Sequence, residues 1–192
     1  MSDVPVYHIQ LDRWYTECPE WREAVIERIH ALQPDLVVLS QFAADYADGR
    51  GVGEARWEEG TCETLNRLSA PERTLVLLRD PPRFGYSVPN CLADATFKSR
   101  ATSECDAPRA VALRHSLAER ERAAMDGIPG AWYLDLSRLF CGPDTCPAQE
   151  GGLVRYQDSN HLTASYAESL AEPVRDDIFD ALQETNSGAN RQ

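Results

Sequence analysis

The sequence is poor in the features that mark several large protein classes. No stretch approaches the roughly 18 apolar residues that a membrane-spanning helix needs. Residues 1–20 hold no basic segment followed by an apolar one, the pattern of a secretory signal. Basic residues are scarce, with 19 Lys and Arg against 31 Asp and Glu and a net charge of −12. That balance argues against a nucleic-acid partner, because phosphate binding needs a basic patch, and it reads instead as a solvated, solubilising surface. Cys-x-x-Cys pairs are missing, and His8, His30, His115 and His161 do not stand near cysteines at zinc-ligand spacing. There is no internal repeat, and no activated serine in a strand-to-helix elbow is evident.

What is present fits one α/β core. A chain of 192 residues that is 43% hydrophobic can bury a single good core, so one domain is expected over residues 1–183. Residues 184–192 are polar and contain Gly188, which suggests a disordered tail. Trp21, Val25, Ile29 and Leu32 recur at helical spacing after Pro19, and Pro34 closes that helix. Leu36–Leu39 is a short, wholly apolar strand of the kind buried in parallel sheets. Gly49–Gly53 reads as a flexible loop, residues 54–68 as a helix weakened at Gly60, and Thr74–Leu78 as a second buried strand. Arg79–Cys91, with Pro81, Pro82, Gly85 and Pro89, reads as an irregular loop. A polar helix is expected from Pro108 to Met125, a third strand over Trp132–Leu136, and a final amphipathic helix from Thr163 to Leu182. Repeated helix–strand order implies a parallel sheet with helices on both faces, a three-layer α/β/α, flavodoxin-like arrangement. Ligands of such sheets bind beyond the carboxyl ends of the strands, which places the expected site on the loops after Leu39, Leu78 and Leu136 and on the loop at Asp158–His161.

Six cysteines remain to be placed: Cys18, Cys62, Cys91, Cys105, Cys141 and Cys146. Cys141-Gly-Pro-Asp-Thr-Cys146 reads as a short loop pinched by a disulfide, and Cys91 and Cys105 bracket a polar stretch suited to a second one. Closing loops of this size adds roughly 2–3 kcal/mol each in the chain-entropy description. Disulfides imply an oxidising compartment, which conflicts with the missing export signal unless these residues are part of a longer exported protein. If the chain is complete, a cytoplasmic location follows instead.

Tyr156-Gln-Asp-Ser-Asn-His-Leu-Thr163 carries the chemistry. Asp158 stands three residues before His161, a spacing that in a tight loop brings a carboxylate to imidazole Nδ1–H and leaves Nε2 as a base. The structural alternative is the first turn of a helix with a solvated ion pair. Other nucleophile candidates are bland: Ser40 lacks a small-residue elbow, Ser159 suits a local turn hydrogen bond, Ser87 sits in the proline-rich loop, and Cys62 falls in a helix pattern. His30 and His115 lie in helices and His8 in an uncertain N-terminal segment, with no catalytic pattern around them.

Seven segments, in order, resemble the SGNH (GDSL-like) hydrolase superfamily, in the form of the extracytoplasmic SGNH domain of family 3 membrane acyltransferases. They are Cys18-Pro-Glu-Trp21, Pro34-Asp-Leu-Val-Val-Leu-Ser40, Trp57-Glu-Glu-Gly60, Asp80-Pro-Pro82, Val88-Pro-Asn-Cys-Leu92, Leu139-Phe-Cys141 with Cys146-Pro147, and Tyr156 through Thr163. The resemblance spans residues 14–182 and implies an acyl-ester enzyme, an esterase or an O-acyltransferase acting on cell-surface glycans. It assigns His161 as the base and Asp158 as its orienting partner, and it requires no cofactor or metal. Its implied partners are an acyl-ester or glycan substrate and a membrane acyltransferase domain. The family's opening strand ending in Gly-Asp-Ser is not found in these residues, so the first strand–helix unit and the nucleophile are expected to be missing. Ser40-Gln41 occupies the place of the family's Asn block without an Asn. Cys18 looks like a cysteine whose partner lies upstream; it can instead pair with Cys62, or both can be free thiols. A non-catalytic glycan-binding or accessory module is the alternative to an enzyme.

Overall fold

Apolar strands alternate with helices in the computed structural model, which describes residues 2–8, 11–43 and 52–189. The main elements in chain order are α1 (Glu17–Leu32), β1 (Leu36–Leu39), α2 (Glu54–Leu68), β2 (Thr74–Leu78), α3 (Val88–Phe97), α4 (His115–Ala123), β3 (Ala131–Leu134), α5 (Ala164–Ser169) and α6 (Ala171–Ala189). Of the expected Gly49–Gly53 loop, residues 49–51 lie outside the described residues.

The chain forms two compact units. The first comprises Met1–Asp80, Ser116–Leu134 and Asp180–Gln192. Its sheet has the order β1-β2-β3 and is parallel throughout, with Leu36 opposite Thr74 and Leu75 opposite Ala131. The central strand is apolar because it is hidden on both faces: Leu75, Val76 and Leu77 are fully buried. Ile26, Leu39, Leu65, Leu68, Leu75, Leu77, Met125 and Ile128 make one core cluster. Each such side chain contributes roughly 1.5–3 kcal/mol by leaving water. The architecture is α/β of the three-layer type with a parallel sheet, as the alternation of elements implied.

Several boundaries differ from expectation for physical reasons. The apolar stripe of α1 marks only part of its buried face: Ile29 packs against the core and Val25 is half-buried, whereas Trp21 and Leu32 are 56% and 59% exposed and Ile26, outside the stripe, is 4% exposed. Arg22 is buried beside them because its guanidinium pairs with Asp3 and reaches the carbonyl of Val4. Gly60 is no weakness in α2. A Cβ there would lie 2.6 Å from the carbonyl oxygen of Asp3, whose N–H donates to Gly60 O at 2.7 Å, so only glycine lets the N-terminal segment pack this closely.

The second unit comprises Pro81–His115 and Asp135–Phe179. The proline-rich loop is shorter than expected, since α3 opens at Val88 and Pro89 stands in its first turn, where a missing N–H costs nothing. The long helix expected over Pro108–Met125 is two helices, Arg109–Ala112 and α4. Leu113 is extended and buried, and the Ala112 carbonyl accepts the N–H of Arg83 at 3.0 Å instead of continuing a helical ladder. The third strand is displaced to Ala131–Leu134, and a short helix, Ser137–Phe140, follows it. The last helix is interrupted at Leu170 because Pro173 cannot donate to the preceding turn; α6 then runs to Ala189, past the expected end at Leu182.

Two disulfides brace this unit, Cys91–Cys105 and Cys141–Cys146. The first ties α3 to a 3₁₀ turn, Thr102–Cys105, and the second closes a loop whose Thr145–Cys146 pairs with Ala107–Pro108. Arg109 clamps that loop, donating to Gly142 O at 2.9 Å and to Ser137 Oγ at 3.0 Å. Cys18 and Cys62 are free thiols among the described residues, each half-buried, so the pair between them is not formed.

Candidate functional site

The segment from Leu153 to Thr163 doubles back on itself. Tyr156 and Leu162 form an antiparallel bridge, Gln157 N–H donates to His161 O at 2.9 Å, and Thr163 N–H donates to Arg155 O at 2.9 Å. Thr163 also caps α5: its hydroxyl donates to Val154 O at 2.7 Å and accepts from Tyr166 N–H at 3.3 Å. Beneath the loop, Tyr156 is fully buried and its ring lies 4.6 Å from that of Phe84. Arg155 supports it from the other side, donating to Phe140 O at 2.8 Å, pairing with Glu150 and lying over the Tyr166 ring.

At the tip, Asp158 and His161 meet. One carboxylate oxygen, Oδ1, accepts the backbone N–H of Asn160 at 2.9 Å and that of His161 at 2.8 Å. The other, Oδ2, lies 2.6 Å from imidazole Nδ1. Burial raises the Asp158 pKa, but the two N–H donors and the imidazole outweigh it and hold the carboxyl down at about 2. With Nδ1–H committed to the carboxylate, Nε2 carries the lone pair, and the His161 side chain is 65% exposed. The pair is therefore a fixed ring with an accessible basic nitrogen, the arrangement a general base requires.

Asp158 also lines a cleft of about 520 Å³, with Ser159, Ser87 and the loop Arg83-Phe-Gly-Tyr86. Main-chain bonds fasten the two loops together: Phe84 N–H donates to Ser159 O at 2.7 Å and Val88 N–H to Asp158 O at 3.1 Å. Of the serines weighed as nucleophiles, Ser87 and Ser159 thus border the cleft, and the Ser159 hydroxyl donates to Asn160 Oδ1 at 3.2 Å. Ser40 is exposed at the end of β1, beside an apolar groove with Trp21, Val25 and Val38. Cys62 packs against the core and accepts from Asn66. Among the described residues no serine hydroxyl or cysteine thiol hydrogen-bonds to His161 Nε2.

The sequence matches the family described as SGNH domain (fused to AT3 domains) over residues 2–176. The chain belongs to this family. A solved structure with the same fold is that of the periplasmic domain of the lipopolysaccharide acetyltransferase of Salmonella ser. Paratyphi A, at 16% identity and a TM-score of 0.66, covering 93% of this chain and 68% of that one. No curated protein matches the chain in sequence.

Sequence reasoning missed Arg83, Tyr86 and Arg114 of this SGNH domain, all of which line the cleft. The signal available was the Arg-Phe-Gly-Tyr run inside a proline-rich loop, basic and aromatic residues together in an acidic chain.

Proposed function

We propose that this SGNH domain performs acyl-ester chemistry, moving O-acetyl groups to or from a cell-surface glycan outside the cytoplasm, as part of a longer protein with a membrane acyltransferase domain. The observation that carries the reading is the 2.6 Å contact of Asp158 Oδ2 with His161 Nδ1, which orients an exposed Nε2. The family description, with its fusion to AT3 domains, and the fold shared with a lipopolysaccharide acetyltransferase domain support the substrate class, and the two disulfides support an oxidising compartment.

The steps follow from that pair. A serine hydroxyl supplied from outside the described residues attacks the acyl carbonyl carbon while Nε2 takes its proton. The tetrahedral intermediate collapses, the carbon–oxygen bond to the leaving alcohol breaks, and the imidazolium returns the proton to that alcohol. The acyl-serine is then resolved by water or by a glycan hydroxyl, again with Nε2 as base. Asp158 stays ionised throughout and stabilises the imidazolium. This chemistry calls on no cofactor.

A second reading, a glycan-binding accessory module, is favoured by one observation: no described hydroxyl or thiol bonds to Nε2. Hydrolysis of p-nitrophenyl acetate by the longer protein that supplies the serine, in wild-type and His161→Ala forms, separates the two. The ester reading expects the variant to be about 100-fold slower or worse. Equal rates would remove it and leave the binding module.

A further inference from the structure

The tip of the Asp158–His161 loop is tied closely to itself and sparingly to its surroundings. Inside the loop, Gln157 bonds to His161, and Asp158 accepts from Asn160 and His161. Among the described residues, two hydrogen bonds join residues 157–161 to the chain beyond residues 153–163. They run from Phe84 N–H to Ser159 O at 2.7 Å and from Val88 N–H to Asp158 O at 3.1 Å. The internal bonds decide how the imidazole is turned. The two outer ones decide where it stands.

Both donors belong to one short strap, residues 84–88. Phe84 is buried and also lays its ring against Tyr156 at 4.6 Å. Tyr86 stands between the donors, its ring edge-on to Phe84 at 5.7 Å and its hydroxyl donating to Cys105 O at 2.8 Å. That is the one side-chain hydrogen bond of the strap among the described residues, because Ser87 makes no capping bond. Cys105 is wholly buried in the 3₁₀ turn Thr102–Cys105. Beside the second donor, Ser87 O accepts Cys91 N–H at 3.1 Å as α3 begins. Cys91 and Cys105 are the two halves of one disulfide, so the strap is fastened at both points to the same bridge.

We propose that Tyr86 is a positioning residue: by fastening the strap to Cys105 it holds the Asp158–His161 pair where Nε2 meets the reacting hydroxyl. For the reacting hydroxyl the assignment rests on the ester-chemistry reading. The mechanical link from Tyr86 to the loop tip stands on the bonds themselves. A base displaced by about 1 Å can lose a rate factor of up to about 100, so a small loosening of the strap reaches the chemistry. One net hydrogen bond shifts a local opening equilibrium by a factor of roughly two to ten.

Tyr86→Phe removes the one hydroxyl and keeps the ring on Phe84, and two measurements read the result. Amide hydrogen exchange in the 192-residue chain should quicken about fivefold at Phe84 and Val88. Exchange at Gln157 and Thr163, whose bonds lie inside the loop, should stay within about twofold. In the longer protein that supplies the serine, kcat on p-nitrophenyl acetate should fall about fivefold with KM within about twofold. Cys91→Ala/Cys105→Ala releases both fastenings, so adding Tyr86→Phe to it should change kcat by less than about twofold. Unchanged exchange at Phe84 and Val88 overturns the proposal, and so does an equal rise at all four amides, which would show general loosening. A fall in kcat as large without the bridge as with it also overturns it, as does a kcat that holds while the strap loosens. If the bridge variant fails to fold, the exchange pattern and the split between kcat and KM in Tyr86→Phe still decide. Hydrolysis indifferent to His161→Ala removes the ester reading and leaves the exchange pattern to judge the link. His161-dependent hydrolysis with unchanged exchange keeps the ester reading and removes the role of Tyr86.

Discussion

Asp158 grips His161 twice, accepting its backbone N–H on one carboxylate oxygen at 2.8 Å and its ring Nδ1–H on the other at 2.6 Å. The first bond fixes where the residue sits and the second fixes how the ring is turned and which nitrogen is free. Asp158→Asn preserves the first, since an amide oxygen still accepts, and reverses the second, since an amide nitrogen donates to Nδ1. The ring then holds its proton on Nε2, and esterase kcat should fall by roughly 10³–10⁴ with KM little changed. Steady-state kinetics on an acetyl ester checks it.

The same carboxyl sets a pH dependence. Its folded-state pKa is held down at about 2, below the ordinary aspartate value near 4. Its contribution to stability is therefore complete above about pH 4 and is lost as pH falls towards 2. Urea unfolding of wild type and Asp158→Asn across pH 5 to 2.5 should show the two curves converging at the acid end. Parallel curves over that range would show that the carboxylate is not linked to folding. The side chain is about half exposed, so the effect is modest.

How much of this was legible beforehand depends on sequence distance. The Asp158–His161 contact and the Cys141–Cys146 loop are made by residues three and five apart, so spacing alone suggested both. The apolar strands Leu36–Leu39 and Thr74–Leu78 were legible because a buried parallel strand has no polar face to disguise it. The cleft was not legible, because it is assembled by bonds such as Phe84 to Ser159, across 75 positions that no local pattern encodes. The α1 stripe was only partly legible because Arg22, which a hydrophobic pattern leaves out although it stands at helical spacing from Ile26 and Ile29, is buried by its pairing with Asp3. The break at Leu170 was legible in principle, since Pro173 stands there in the sequence.

The Cys91–Cys105 bridge closes a loop with a sequence separation of 14 and holds the carbonyl that fixes Tyr86. Replacing both cysteines by alanine should cost about 3 kcal/mol of stability in the chain-entropy description. For a chain of this length that is a fall in Tm of roughly 6–12 °C. Thermal unfolding under non-reducing conditions measures it. Reducing the wild type should give a fall at least as large, because Cys141–Cys146 opens as well.

Gly60→Ala tests the close packing of the N-terminal segment on α2. The new Cβ would stand 2.6 Å from Asp3 O and 2.7 Å from a Val4 methyl, and the helix backbone cannot retreat. Alanine favours a helix over glycine by about 1 kcal/mol, so an open site would be stabilised. Here the overlap wins: Val4, buried with Ala43, Trp57 and Leu117, must shift, and a net loss of about 1–3 kcal/mol is expected in chemical denaturation.

Glu121 is buried with Gln41 Nε2 at 2.9 Å and Trp57 Nε1 at 3.2 Å on one carboxylate oxygen and Tyr133 Oη at 3.2 Å on the other. Burial raises its pKa more than those three donors lower it. A carboxyl whose folded pKa is raised binds its proton more tightly in the folded state, so stability falls as pH climbs from the unfolded value, near 4.3, through the folded one. Glu121→Gln keeps an oxygen for Gln41 and Trp57 and offers Tyr133 an amide N–H, without a charge to bury. The variant should match wild type near pH 4 and be more stable than wild type at pH 8, with a flatter profile between. Urea midpoints at the two pH values measure the difference, and a variant less stable at both would mean that the three donors outweigh burial.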